Sequence, residues 1–186
     1  MGHSSEKMIE LCATSRSHLK DLSAGYSRMA MVCRQERDAI SQDDVDGAEK
    51  IVSEKEQVGL TIELNIQKLM EINRAIARPE DHEKETLSGL VSKFEAYTNE
   101  ASDDIKDKVL QHNIHQLRLE FEKFQEIFAE TRPLVEQNMY IVRKILNRNR
   151  ENLRIIHEAI DQASSTYSNK GEAKTNLQFS VWHAKA

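Results

Sequence analysis

Prolines number two in this chain of 186 residues, cysteines two and glycines six, and each scarcity closes off a group of architectures. With only Pro79 and Pro133 to interrupt backbone hydrogen bonding, long helices are permitted almost anywhere. The glycines stand singly, so no glycine-rich loop is available to cradle phosphate, and no Gly-x-Ser-x-Gly nucleophile elbow occurs. Cys12 and Cys33, placed on one helix, would lie on the order of 30 Å apart and cannot bridge each other. They are expected to be small buried hydrophobes in a reducing cytoplasm. Aromatics are 5% of the chain, too few for a large aromatic core or a base-stacking platform. No apolar run approaches the length of about eighteen residues that a membrane span needs, so no membrane insertion is expected. The first residues lack an apolar signal core, and Glu6 stands where a myristoylation signal wants Ser or Thr. A net charge of -5 opposes general nucleic-acid binding, which needs many cations to neutralise phosphates.

What the chain has in abundance is an apolar residue every three or four positions, a helical period. Hydrophobic residues are 39% and charged residues 31%, the balance of thin helices that each bury a seam. The first helix is predicted from near Ser5 to about Ser41, with a seam of Met8, Cys12, Ser15, Leu19, Leu22, Tyr26, Met29, Cys33, Glu36 and Ile40. The acidic stretch Ser41–Gly47 is predicted to turn into a second helix reaching about Ala77, and so short a turn implies an antiparallel hairpin. Glu36 and Lys55 occupy seam slots a few turns from that bend. Either they pair across it, since an unpaired seam charge is costly, or both extend to water. A third, shorter helix is predicted from Pro79 to about Tyr97, followed by a joint at Thr98–Ser102.

The last helix is the longest, with a seam from Leu110 through Phe121, Phe124, Phe128, Thr131, Val135, Asn138, Val142, Ile145, Asn149, Asn152 and Ile156 to Ala163. Its phase is kept through Pro133, which predicts a kink there, with a full break as the alternative. After Ser165 the pattern stops, and 166–186 is expected to be a flexible tail with an apolar end at Leu177, Phe179, Val181 and Trp182. The fold class expected is all-α: a long antiparallel helical hairpin plus a long kinked C-terminal helix, an elongated coiled-coil-like bundle over residues 1–165.

Candidate chemistry is sparse. No histidine has a glutamate three places before it, the pair that di-iron helical bundles use. His112 and His115 share a helix face, but two ligands fall short of the three or four that zinc takes, and a solvated face is the plainer reading. No catalytic residue, metal site or cofactor is assigned. Arg143, Lys144, Arg148, Arg150 and Arg154 form a basic segment that reads as an exposed face or as a receiver for an acidic partner. Asn149 and Asn152 stand on the seam side, close to Leu153, Ile155 and Ile156. A seam asparagine can fix register or contact an incoming peptide.

Three groups of residues together resemble the FlgN family of flagellar export chaperones. The hairpin carries Gln35-Glu36-Arg37-Asp38-Ala39-Ile40, an acidic turn, then Glu54-Lys55 and Asn73-Arg74. The final helix carries Asn149-x-x-Asn152-x-x-Ile155-Ile156, and Thr166-Tyr167-x-x-x-Gly171 follows. The resemblance covers roughly residues 5–175. It implies a cytoplasmic, all-helical protein that is not an enzyme. Such a protein would bind the C-terminal helices of the hook–filament junction proteins FlgK and FlgL, keep them unassembled, and pass them to the export gate component FlhA. By the same resemblance, Asn149 and Asn152 fall in the partner-binding stretch and Tyr167, followed by Gly171, at the gate contact. Client contact is expected along the last helix near Leu153, Ile156 and Ile160. Two departures stand out: the chain is longer than typical members between Glu80 and Phe128, and Ser168 follows Tyr167 where the family often has glycine. The rival readings are a self-associating structural coiled coil or adaptor, and a metal-dependent helical bundle.

Overall fold

A computed structural model describes residues 5–77, 86–98 and 105–168, with the side chains of 98, 105–107 and 162–168 outside the description. Among the described residues there are four helices, α1 (Ser5–Ser41), α2 (Val45–Ile76), α3 (Leu87–Thr98) and α4 (Ile105–Ser168), and no strand. The chain divides into two units, Met1–Met139 and Tyr140–Ala186.

In the first unit α1 and α2 are joined by a turn of three residues whose chemistry is fixed by two aspartates. Asp43 has φ 53, the left-handed conformation that ends many helices and that Asp tolerates better than most residues. With Asp43 so placed, the Asp44 N–H donates to the Ala39 carbonyl at 3.0 Å and the Asp43 N–H to the Ile40 carbonyl at 3.4 Å, closing α1. Asp44 then opens α2: its carboxylate accepts from the Gly47 N–H at 2.9 Å, and α2 starts two or three residues earlier than the sequence predicts. A Cβ on Gly47 would crowd the Asp44 carboxylate where it now lies, so that side chain would have to shift.

Contacts between α1 and α2 run in opposite order along the two helices, Glu36 meeting Lys55, the Gly25 backbone approaching Ile62, and His18 Nδ1 lying 2.9 Å from Asn65 Oδ1. That is the order of antiparallel neighbours. Away from the turn, Met8, Cys12, Leu19 and Leu22 of α1 join Ile62, Leu69, Ile72 and Ile76 of α2 in one apolar core. Leu90, Val91 and Phe94 of α3 and Leu110, Ile114, Leu117 and Phe124 of α4 complete it. Thr86 caps α3, accepting at Oγ1 from the Gly89 N–H at 3.0 Å, and its carbonyl accepts from buried Asn73, whose Oδ1 takes a bond from Lys93 at 2.8 Å. The start predicted at Pro79, and the joint after Thr98, lie outside the described residues.

Along α1, α4 packs through Tyr26, whose ring meets Phe124 and Phe128 edge-on at 5.6 and 5.2 Å. α4 passes through Pro133 as one helix, so the break held open by the sequence does not occur. Near that proline the Thr131 hydroxyl lies 2.8 Å from the Ile127 carbonyl and 3.3 Å from that of Tyr26.

Glu36 and Lys55 do pair, at 2.5 Å, and Glu36 is buried. The pair has a third member that periodicity does not disclose. Asn138, also buried, donates to the Cys33 carbonyl at 2.6 Å and to Glu36 at 2.8 Å, and accepts from Arg37 at 3.1 Å. A buried carboxylate with two donors escapes most of the penalty of an orphaned charge. Both cysteines are free and buried, and burial pushes the Cys12 thiol up to about 12 and raises that of Cys33.

Candidate functional site

The second unit holds the other half of α4, and there the seam spacing continues without a seam. Val142, Leu146, Asn149, Leu153, Ile156 and Ile160 follow each other at alternating steps of four and three, so they align on one face. Leu146, Leu153, Ile156 and Ile160 are 51, 57, 53 and 51% exposed, where Leu117, earlier on the same helix, is 0% exposed. Ile145 and Ile155, beside this stripe, are exposed as well. A row of half-exposed large aliphatics on one helix face is what needs explaining in this molecule, since exposed apolar side chains scattered singly would not.

Asn149 and Asn152 are exposed, and neither makes a side-chain hydrogen bond among the described residues. Asn138, two heptads before Asn152, is fully engaged. Tyr167 falls in the last turn of α4 but its side chain lies outside the description, as does Gly171 altogether. The structure therefore brings Asn149, Leu153, Ile156 and Ile160 onto one face, with Asn152 beside them, and leaves Tyr167 and Gly171 unplaced against them.

Two residues of this surface do not stand out in the sequence. Leu146 and its neighbour Ile145 both fit a three-or-four step, so spacing alone does not choose Leu146. His157 completes an edge with Arg143 and Arg150, spaced by sevens, and that spacing is a readable signal.

The polar side of this stretch supports the helix from within. Arg154 bonds Glu151 at 2.6 Å and Glu158 at 3.0 Å, one turn away in each direction. The hydrogen bond from Arg154 holds the Glu151 carboxyl below its usual range and, in return, holds the Arg154 guanidinium up. Such pairs, three or four residues apart, add modest support to an exposed helix. The Lys144 ammonium sits 4.8 Å above the Tyr140 ring. Among the described residues no group of three metal-ligating side chains forms, and His112 and His115 are exposed. No helix among them is long and apolar enough to cross a membrane.

Among the described residues this is an all-helical protein with a sealed core in one unit and an apolar stripe open to solvent in the other. The family model described as FlgN protein matches residues 14–175, and the chain belongs to this family of flagellar export chaperones. Neither a search of characterised proteins nor one of solved structures returned a match.

Proposed function

We propose that this chain is a cytoplasmic carrier that holds the C-terminal helices of FlgK and FlgL before export and presents them to FlhA. The observation that carries the reading is the exposed Leu146, Leu153, Ile156 and Ile160 face. A client helix laid along it would bury its own apolar stripe in the same contact, which prevents premature self-assembly. Burying the exposed half of each of these side chains contributes on the order of 1 kcal/mol. Ordering the client offsets part of the sum, so the complex stays releasable. Asn149 and Asn152, lacking partners within the described chain, are suited to hydrogen-bond a client at the stripe and along its edge.

The decisive experiment is retention of FlgK and FlgL C-terminal segments by the purified full chain. Binding that is abolished by Leu153→Asp with Ile156→Asp supports the proposal, and no binding to either segment defeats it. The gate role assigned to Tyr167 has its own test. Tyr167→Ala is expected to leave client binding intact while weakening FlhA binding, and equal loss of both would move Tyr167 to the client surface.

A further inference from the structure

The open stripe has two unlike edges. In heptad terms Arg143, Arg150 and His157 recur every seven residues along one side of Val142, Leu146, Asn149, Leu153 and Ile156. Ile145, Asn152 and Ala159 recur along the other. The glutamates of the stretch do not neutralise the basic edge: Glu151 and Glu158 are committed to Arg154 on the outer face. Arg143 and Arg150 are exposed and have no ion pair among the described residues.

We infer that the partner of this stripe is an amphipathic helix whose apolar seam is bordered on one side by acidic residues. This rests on the reading of the stripe as a client surface and adds which helices it prefers. Flanking positions of paired helices set partner choice through charge, so a one-sided basic border selects an acidic one. A second copy of this chain is a poorer occupant in either direction. Side by side and antiparallel, it would set Arg150 against Arg150 and Arg143 against His157. Parallel, it would set the basic edge against Ile145, Asn152 and Ala159, with no ion pair formed. An anionic membrane fits less well too, because a surface-bound helix carries cations around its polar face, whereas here Glu151 and Glu158 stand among Lys144, Arg148 and Arg154 and tie up the last of these.

The test uses the full chain and two labelled amphipathic peptides with the same leucine stripe, one bordered by Glu and one by Lys. Fluorescence anisotropy at low salt should show the Glu-bordered peptide binding roughly fivefold more tightly. The gap should close as salt is raised. Arg143→Glu with Arg150→Glu should reverse the order, and circular dichroism should show unchanged helix. Equal binding of both peptides, lost in Leu153→Asp with Ile156→Asp, overturns the acidic-border inference and leaves the client reading standing. Failure of both peptides to bind, while the native client segments do, has the same consequence. If those segments also fail, the client reading falls with it. Binding to phosphatidylglycerol vesicles in place of either peptide, or a dimer that excludes both, overturns it in favour of those occupants.

Discussion

Two stretches of α4 carry the same spacing and meet opposite environments. Between Leu110 and Phe124 the aliphatic and aromatic slots are closed by α1, α2 and α3, and Leu110 and Leu117 are inaccessible to water. Between Val142 and Ile160 the slots are as regular and open to solvent. Spacing specifies a surface that can pack. Whether it is packed depends on what other helices supply, and among the described residues α1, α2 and α3 supply partners for the first stretch.

Substitution separates the two most sharply. Leu110→Ala or Leu117→Ala, both at fully buried sites, should cost about 2–5 kcal/mol in chemical denaturation. Leu153→Ala or Ile156→Ala should change that stability by less than about 0.5 kcal/mol while weakening client binding. Comparable losses in both stretches would mean that the second is also sealed.

Next in size is the polar knot of the first unit. Asn138→Leu removes one of two donors from buried Glu36, and should cost about 1–3 kcal/mol by urea unfolding. Asn149→Leu, at an open slot, should be neutral or slightly stabilising. Asp44→Ala should cost about 1 kcal/mol, because it removes the carboxylate that caps α2 at the Gly47 N–H.

A smaller effect concerns the thiol. Folding raises the Cys12 pKa from 9.0 to about 12, so the stability it contributes is complete below pH 9 and is lost as pH rises toward 12. Unfolding midpoints should fall between those limits, and alkylation at pH 8 should require prior unfolding.

Much of this fold is legible in residues taken one at a time. A charge in an apolar slot singles out Glu36 and Lys55 as either paired or extended to water, and acidic residues before an apolar run predict the turn into α2. Periodicity says which way a side chain points and is silent on what it meets. Asn138 and Asn152 stand two heptads apart in equivalent slots, yet one binds Cys33 and Glu36 and the other faces water. The acceptor of Asn138 lies about a hundred residues away in sequence, a distance no local pattern spans. Arg37 escapes sequence reasoning for a related reason: it flanks the seam, and only the arrival of α4 gives it Gln137 and Asn138 as partners. Thr86 escapes it as a cap because Pro79 offers an earlier and equally sound helix start.

In the proposed function the face from Leu146 to Ile160 stays open until a client helix covers it, and the carrier role depends on that opening. Amide hydrogen exchange along residues 142–160, with and without a FlgK or FlgL C-terminal segment, tests it most directly. Low protection alone and a marked gain with client, while Leu110–Phe124 stays protected throughout, is the predicted result. Full protection of 142–160 in the isolated chain, or no gain on adding client, would contradict it.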